Sequence, residues 1–146
     1  MKVGYRVLLM VFLFPLVLFA AEESKQNVSQ GKPEELAVAS AEQWLKIIDA
    51  DNYDKGWVYA SEYLKNAVTK DFFKQSLQGV RSPLGSMKNR VLDSAQYTTS
   101  LPGSPDGEYV VIQFKTGFEN NEYAVETLVS KKEKDGQWKV AGYYIK

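Results

Sequence analysis

The stretch Ile48-Asp49-Ala50-Asp51-Asn52-Tyr53-Asp54-Lys55-Gly56-Trp57 places three aspartates within six positions, beside a tyrosine and a tryptophan. Oxygen donors at that density raise three possibilities: a calcium loop, a carboxylate for proton transfer, or a polar corner between helices. A calcium loop of the EF-hand type needs Asp first, Asp or Asn at positions three and five, Gly at six and a bidentate Glu at twelve. Counted from Asp49, Asp51 complies, but Tyr53, Asp54 and Ala60 occupy positions five, six and twelve. No metal site follows. Proton transfer without histidine needs a carboxyl of raised pKa with a tyrosine in reach. Asp49, Tyr53, Glu126 and Tyr143 are groups of that type, provided the fold brings them together. The simpler assignment is a corner, with Asp51 and Asn52 facing water and capping the second helix while Asp49 closes the first.

Glu126 needs a separate comparison. Around it Tyr123, Val125, Thr127 and Val129 form the more apolar face, and Ala124, Leu128 and Ser130 share its own. With the apolar face inside, Glu126 points to solvent or to a cross-strand partner. The alternative is a buried Glu126 paired with Arg81 or Arg90, because a buried charge demands a partner. The candidate ligand contacts are therefore Asp49, Tyr53, Trp57, Arg81, Arg90, Glu126 and Tyr143. None is assigned as catalytic. Most of the aromatics Trp44, Tyr53, Trp57, Tyr63, Trp138 and Tyr143 belong to the core, leaving a minority to line a cavity. A second candidate surface is the loop Leu101-Pro102-Gly103-Ser104-Pro105-Asp106-Gly107-Glu108-Tyr109, although turn chemistry alone accounts for its residues.

Composition prunes the chemistry further. The 146 residues include no cysteine and no histidine. Disulfides, thiol nucleophiles, the commonest zinc ligands and the commonest general base are thereby excluded. No cofactor is implied. Lysine plus arginine and aspartate plus glutamate both total 18. Without residues 1–20, which carry Lys2 and Arg6 and no acid, 16 basic residues face 18 acidic ones, a net charge near −2. Nucleic acid needs a basic face, so it is not an expected partner.

The elements that must position these residues begin after an address. Lys2 and Arg6 precede Val7 to Phe19, thirteen uncharged residues, and Ala20-Ala21 lead into Glu22-Glu23. A basic start, a short apolar run and small residues before a polar stretch predict a secretory signal peptide over 1–20. Cleavage is expected after Ala20, with Ala21 as the alternative and an uncleaved anchor as the exception. The run falls short of the roughly 20 residues that span a bilayer. Residues 21–33 read as a flexible lead and 34–146 as one domain that works outside the cytoplasm, in the periplasm or secreted.

Pro33, Glu34 and Glu35 suit a helix start. Ala37, Ala41, Trp44, Leu45 and Ile48 then recur at helical spacing. A second helix is expected from Asn52, turning Trp57, Ala60, Tyr63 and Leu64 inward. A third follows the Thr69 cap, with Phe72, Phe73, Leu77 and Val80 as apolar contacts. After Arg81 to Gly85 the period changes to two. Strands are predicted over Val91 to Thr99, around Val110 to Phe118, over Tyr123 to Lys132 and over Trp138 to Ile145, with short turns at Asn120-Asn121 and Asp135-Gly136. Helices first and an antiparallel meander afterwards make an α+β domain.

Several spaced blocks then resemble one family. They are Trp44-Leu45 with Ile48-Asp49, Tyr53 and Trp57; Arg81 with Pro83-Leu84-Gly85; Leu101-Pro102-Gly103 with Pro105-Asp106-Gly107 and Tyr109; and Asp135-Gly136 with Trp138, Val140 and Gly142-Tyr143. In this order they resemble the bacterial domain-of-unknown-function family 4019, from about Leu36 to the C-terminus. The resemblance implies a small exported bacterial protein and brings no activity or catalytic residues. The layout also looks like the nuclear-transport-factor-2-like, cystatin-like roll, in which a curved antiparallel sheet wraps a long helix. Fold alone selects no function. The leading expectation is a non-enzymatic module binding a small molecule, an envelope polymer or a protein. The alternative is a cofactor-free lyase or isomerase using Asp and Tyr. A homodimer through the outer sheet face is a third reading, to be marked by an exposed patch containing Tyr109 and Val111.

Overall fold

Pro33 opens helix α1 (Pro33–Asp49), and Glu34 and Glu35 lie in its first turn. The structure, a computed structural model, describes residues 31–146. The expected signal peptide and most of the lead to the domain lie outside the described residues. Ala37, Ala41, Trp44, Leu45 and Ile48 form the buried stripe of α1, as their spacing predicts. Helix α2 (Tyr53–Tyr59) begins at the expected cap, where the Asn52 side chain accepts from the Lys55 amide at 3.2 Å. Asp51, between the two helices, has φ 57° and supplies the bend. The aspartate stretch is a corner.

One expected helix proves to be two. Ala60 and Ser61 leave helical geometry, and α3 (Glu62–Ala67) starts afresh. The buried Ser61 explains the break: its hydroxyl accepts from the Leu64 amide at 3.1 Å and its own amide donates to the Val140 carbonyl at 2.9 Å. A continuous helix would have consumed that amide. Ala60 and Leu64 are buried as expected, while Trp57 and Tyr63 are half-buried. Helix α4 (Lys70–Arg81), capped by Thr69, buries Phe73, Leu77 and Arg81. The expected apolar contacts Phe72 and Val80 are instead 61% and 47% exposed. The buried stripe is one residue wide, and its last place goes to a guanidinium. Ser82–Leu84 make a short 3-10 turn before Gly85.

Four strands follow in the order β1 (Met87–Thr98), β2 (Tyr109–Phe118), β3 (Asn121–Lys132) and β4 (Trp138–Ile145), each antiparallel to its neighbour. The domain is α+β, with helices N-terminal to the sheet. Helix α1 lies across the inner face and touches all four strands. Its stripe meets Val110, Ile112, Phe114, Leu128 and Val140 in one apolar core. Each fully buried side chain of this size contributes about 1.5–3 kcal/mol. Gly56 lets α2 approach closely, since a Cβ there would stand 2.5 Å from Ile48 Cδ1.

The parity of β3 differs from the expectation. Ala124, Glu126, Leu128 and Ser130 face inward, and Tyr123 is 88% exposed. The cause is a bulge beside the β2–β3 turn. Phe118 pairs with Asn121 but Thr116 pairs with Ala124, so β3 carries one extra residue there. A single inserted residue sends every later side chain to the opposite face. Neither residue expected to mark a dimer face is exposed. Tyr109 is buried, its hydroxyl donating to the Pro105 carbonyl at 2.6 Å beneath the preceding loop, and Val111 is half-buried.

Candidate functional site

With β3 in this register, Glu126 enters the interior opposite Phe114. Arg90 reaches the same place from β1, where it pairs with Thr116. Asp49 arrives as the last residue of α1, Arg81 as the last of α4 and Tyr143 from β4. Arg90 bridges the two acids. Its Nη1 and Nη2 donate to Asp49 at 2.7 and 2.9 Å, and its Nε and Nη2 donate to Glu126 at 2.6 and 3.2 Å. Arg81 Nη2 donates to Asp49 at 2.8 Å, while its Nη1 donates to the Tyr143 hydroxyl at 3.0 Å. The Tyr143 hydroxyl in turn donates to Glu126, which also accepts from Thr116 Oγ1 at 2.5 Å. The Arg81 guanidinium lies 5.0 Å from the Phe118 ring centroid, a cation–π contact.

Two cations and two anions thus cancel within a cluster where Glu126 is fully buried and Arg81 is 4% exposed. Burial raises the Asp49 pKa, but hydrogen bonds and charges from Arg90 and Arg81 reverse this and hold it below the usual carboxylate range. Burial also disfavours the charge on both arginines. Asp49 and Glu126 outweigh it for Arg90, and Tyr143 and Asp49 do so for Arg81, leaving both pKa values raised. Burial, then the Glu126 charge, push the Tyr143 hydroxyl well above the ordinary phenol range. Asp49 is thus held ionised, and Arg81, Arg90 and Tyr143 are held protonated.

Five of the seven sequence-predicted residues therefore meet: Asp49, Arg81, Arg90, Glu126 and Tyr143. Glu126 follows the buried, arginine-paired alternative rather than the solvent-facing one. Tyr53 stays outside and donates to Asp51 at 3.0 Å; burial pushes its hydroxyl up to about 12, helped by that acceptor. It lines a cleft of about 470 Å³ that reaches Asp49 and Arg81 at the edge of the cluster. Trp57 stands apart from the cluster, its Nε1 donating to the Val68 carbonyl at 3.4 Å, and serves packing. Sequence reasoning missed Thr116 and Phe118, whose inward places were read as plain strand alternation.

A second opening, of about 530 Å³, lies between α1, α2 and the start of β4. Trp44, Ile47, Ala50, Trp138 and Val140 line it with apolar surface. Trp44 is fixed there by an Nε1 bond to the Gly56 carbonyl at 2.8 Å and by edge contacts to Phe73 and Tyr143. Lys46, Lys55 and Lys139 reach the same opening from three different elements. None of the three was a candidate from sequence. Isolated lysines on separate elements carry no local signal, although Trp44 and Trp138 belonged to the aromatic set that could line a cavity.

The blocks that carry the family resemblance fall on these features: Trp44, Asp49, Arg81 and Tyr143 around the interior, and Trp138 at the second opening. The profile of a protein of unknown function, DUF4019, matches residues 40–143. The chain belongs to the DUF4019 family. The match takes in every described element except the first turns of α1 and the end of β4. Comparison of this DUF4019 chain with curated proteins finds no match. Among the described residues, no helix is long and apolar enough to cross a membrane.

Proposed function

We propose that this DUF4019 domain is a non-enzymatic, exported binding module of the periplasm or cell envelope, with a roll of the nuclear-transport-factor-2-like, cystatin-like kind. Its ligand or partner, a small molecule, an envelope polymer or a protein, lodges in the opening between α1, α2 and β4. The observation that carries the reading is the pairing of both interior carboxylates with both interior arginines. A general base needs a free lone pair and a pKa near working pH, and Asp49 is held the other way. Glu126 lines neither of the two clefts described. The cluster reads as a structural strut, which leaves the aromatic-walled opening as the functional surface. Export is supported by the basic, apolar and small-residue order of residues 1–20.

The alternative, a cofactor-free lyase or isomerase, needs one carboxylate released from its arginines. The test is to express residues 1–146 in an exporting bacterial host and record a native mass spectrum of the purified protein. We expect recovery outside the cytoplasm, a polypeptide mass lacking residues 1–20 or 1–21, and an added non-covalent mass. Recovery in the cytoplasm with an intact N-terminus refutes export. A chain that binds nothing from envelope extracts refutes the binding reading.

A further inference from the structure

We infer that the opening between α1, α2 and β4 takes an amphiphilic anion: one carboxylate or phosphate group carried on a compact apolar body. This rests on the binding-module reading and names the ligand class of that site. The charge pattern is the first argument. Lys46 of α1, Lys55 of α2 and Lys139 of β4 converge on one opening, and among the described residues no aspartate or glutamate lines it. None of the three lysines has a carboxylate of the described residues within 4.0 Å. Glu62, which feels Lys139 weakly, is already paired with Lys65 at 2.6 Å. A domain with net charge near −2 thus gathers three lysines at one concave place, where an anion meets complementary charge.

The floor supplies the second argument. Trp44, Ile47, Ala50, Trp138 and Val140 present apolar surface below the cations, and the volume of about 530 Å³ suits a small molecule. At the rim the Lys55 ammonium stands 5.7 Å from the centroid of the Tyr59 ring, which is 55% exposed. An amphiphile satisfies both layers at once, its body on the floor and its headgroup among the ammonium groups. Lysine also bears on the headgroup. It is a point charge without the planar fork of arginine, so it accepts carboxylate and phosphate alike. Three cations confined to one opening match a single headgroup better than the repeating charge of a polymer.

The test titrates the exported protein with 2-naphthoate, 2-naphthyl phosphate and the neutral 2-naphthamide, followed by amide NMR shifts and calorimetry. We expect shifts centred on Lys46, Lys55 and Lys139, with at least one anion binding about tenfold or more tighter than the amide. That preference should shrink on raising salt from about 50 to about 500 mM. It should vanish in Lys46→Gln/Lys55→Gln/Lys139→Gln, while binding of the amide persists as proof of an intact cleft. The tighter of the two anions identifies the headgroup. Equal binding of acid, phosphate and amide at the cleft overturns the anion assignment and leaves the binding cleft standing. Shifts confined elsewhere, or none with any probe, overturn the cleft as well.

Discussion

Replacing Glu126 by glutamine preserves shape and removes the charge that two guanidiniums share. Arg90 then keeps only Asp49, and Arg81 loses its nearest interior anion after Asp49. Glu126→Gln should cost about 3–5 kcal/mol, the range for breaking a buried pair on one side. Urea denaturation would measure it, and a loss below about 1 kcal/mol would refute a tightly paired interior. Tyr143→Phe removes one donor to Glu126 and one acceptor for Arg81, so about 1–3 kcal/mol is expected by the same measurement. Asp49 sets a pH dependence of definite sign. Its pKa is lower folded than unfolded, so the stability it contributes is present above about pH 4 and is lost as the pH falls through the folded value. Urea midpoints taken from about pH 7 to about pH 2 should fall in the acid range for the wild type. They should fall less in Asp49→Asn, which starts lower; equal slopes would show that Asp49 is not the linked group.

At the scale of elements, the sequence carried the period of each segment better than its phase. The helical stripe of α1, the alternation of β2 and the span of β4 were all legible, because each is a local pattern. The inward face of β3 was not, because it depends on one extra residue between Asn121 and Ala124. Without that residue, Tyr123 and Val125 would pair opposite Thr116 and Phe114 and the apolar face would point inside. The arginine in the α4 stripe was hidden in the same way, since nothing near Arg81 in sequence announces its partners. The bulge makes a testable contrast. Deleting Glu122 removes the extra residue and keeps Ala124 opposite Thr116, so cooperative unfolding should survive with a loss within about 2 kcal/mol. Deleting Val125 throws Glu126 to the outside and should abolish the cooperative thermal transition seen by circular dichroism. Equal tolerance of both deletions would contradict the register. The α2–α3 break has its own check: Ser61→Ala removes the cap and should cost about 0.5–2 kcal/mol in the same melts.

Across the whole molecule, charge is sorted by depth and side. Two acids and two arginines cancel in the interior, while three lysines meet at an outer opening and no acid of the described residues joins them. Composition gave a near-neutral total and could not show this sorting, which exists only once distant elements meet. The outer sheet face, by contrast, leaves Val91, Tyr123 and Tyr144 exposed at 64%, 88% and 62%. Tyr123→Ser should therefore change stability by less than about 0.5 kcal/mol, as checked by urea midpoint. A larger loss would mean that this face is covered in solution.

The first helix is held by the last strand. Ser40 of α1 donates to the Trp138 carbonyl across 98 residues, and Arg81 reaches Tyr143 across 62. Contacts of such long range slow folding, because the chain must close large loops before any of them rewards it. Refolding on the scale of about milliseconds to seconds is expected, rather than the microseconds of a helical bundle. Until the sheet is in place the apolar residues of α1 have nothing to cover them, and a newly made chain is then most exposed to aggregation.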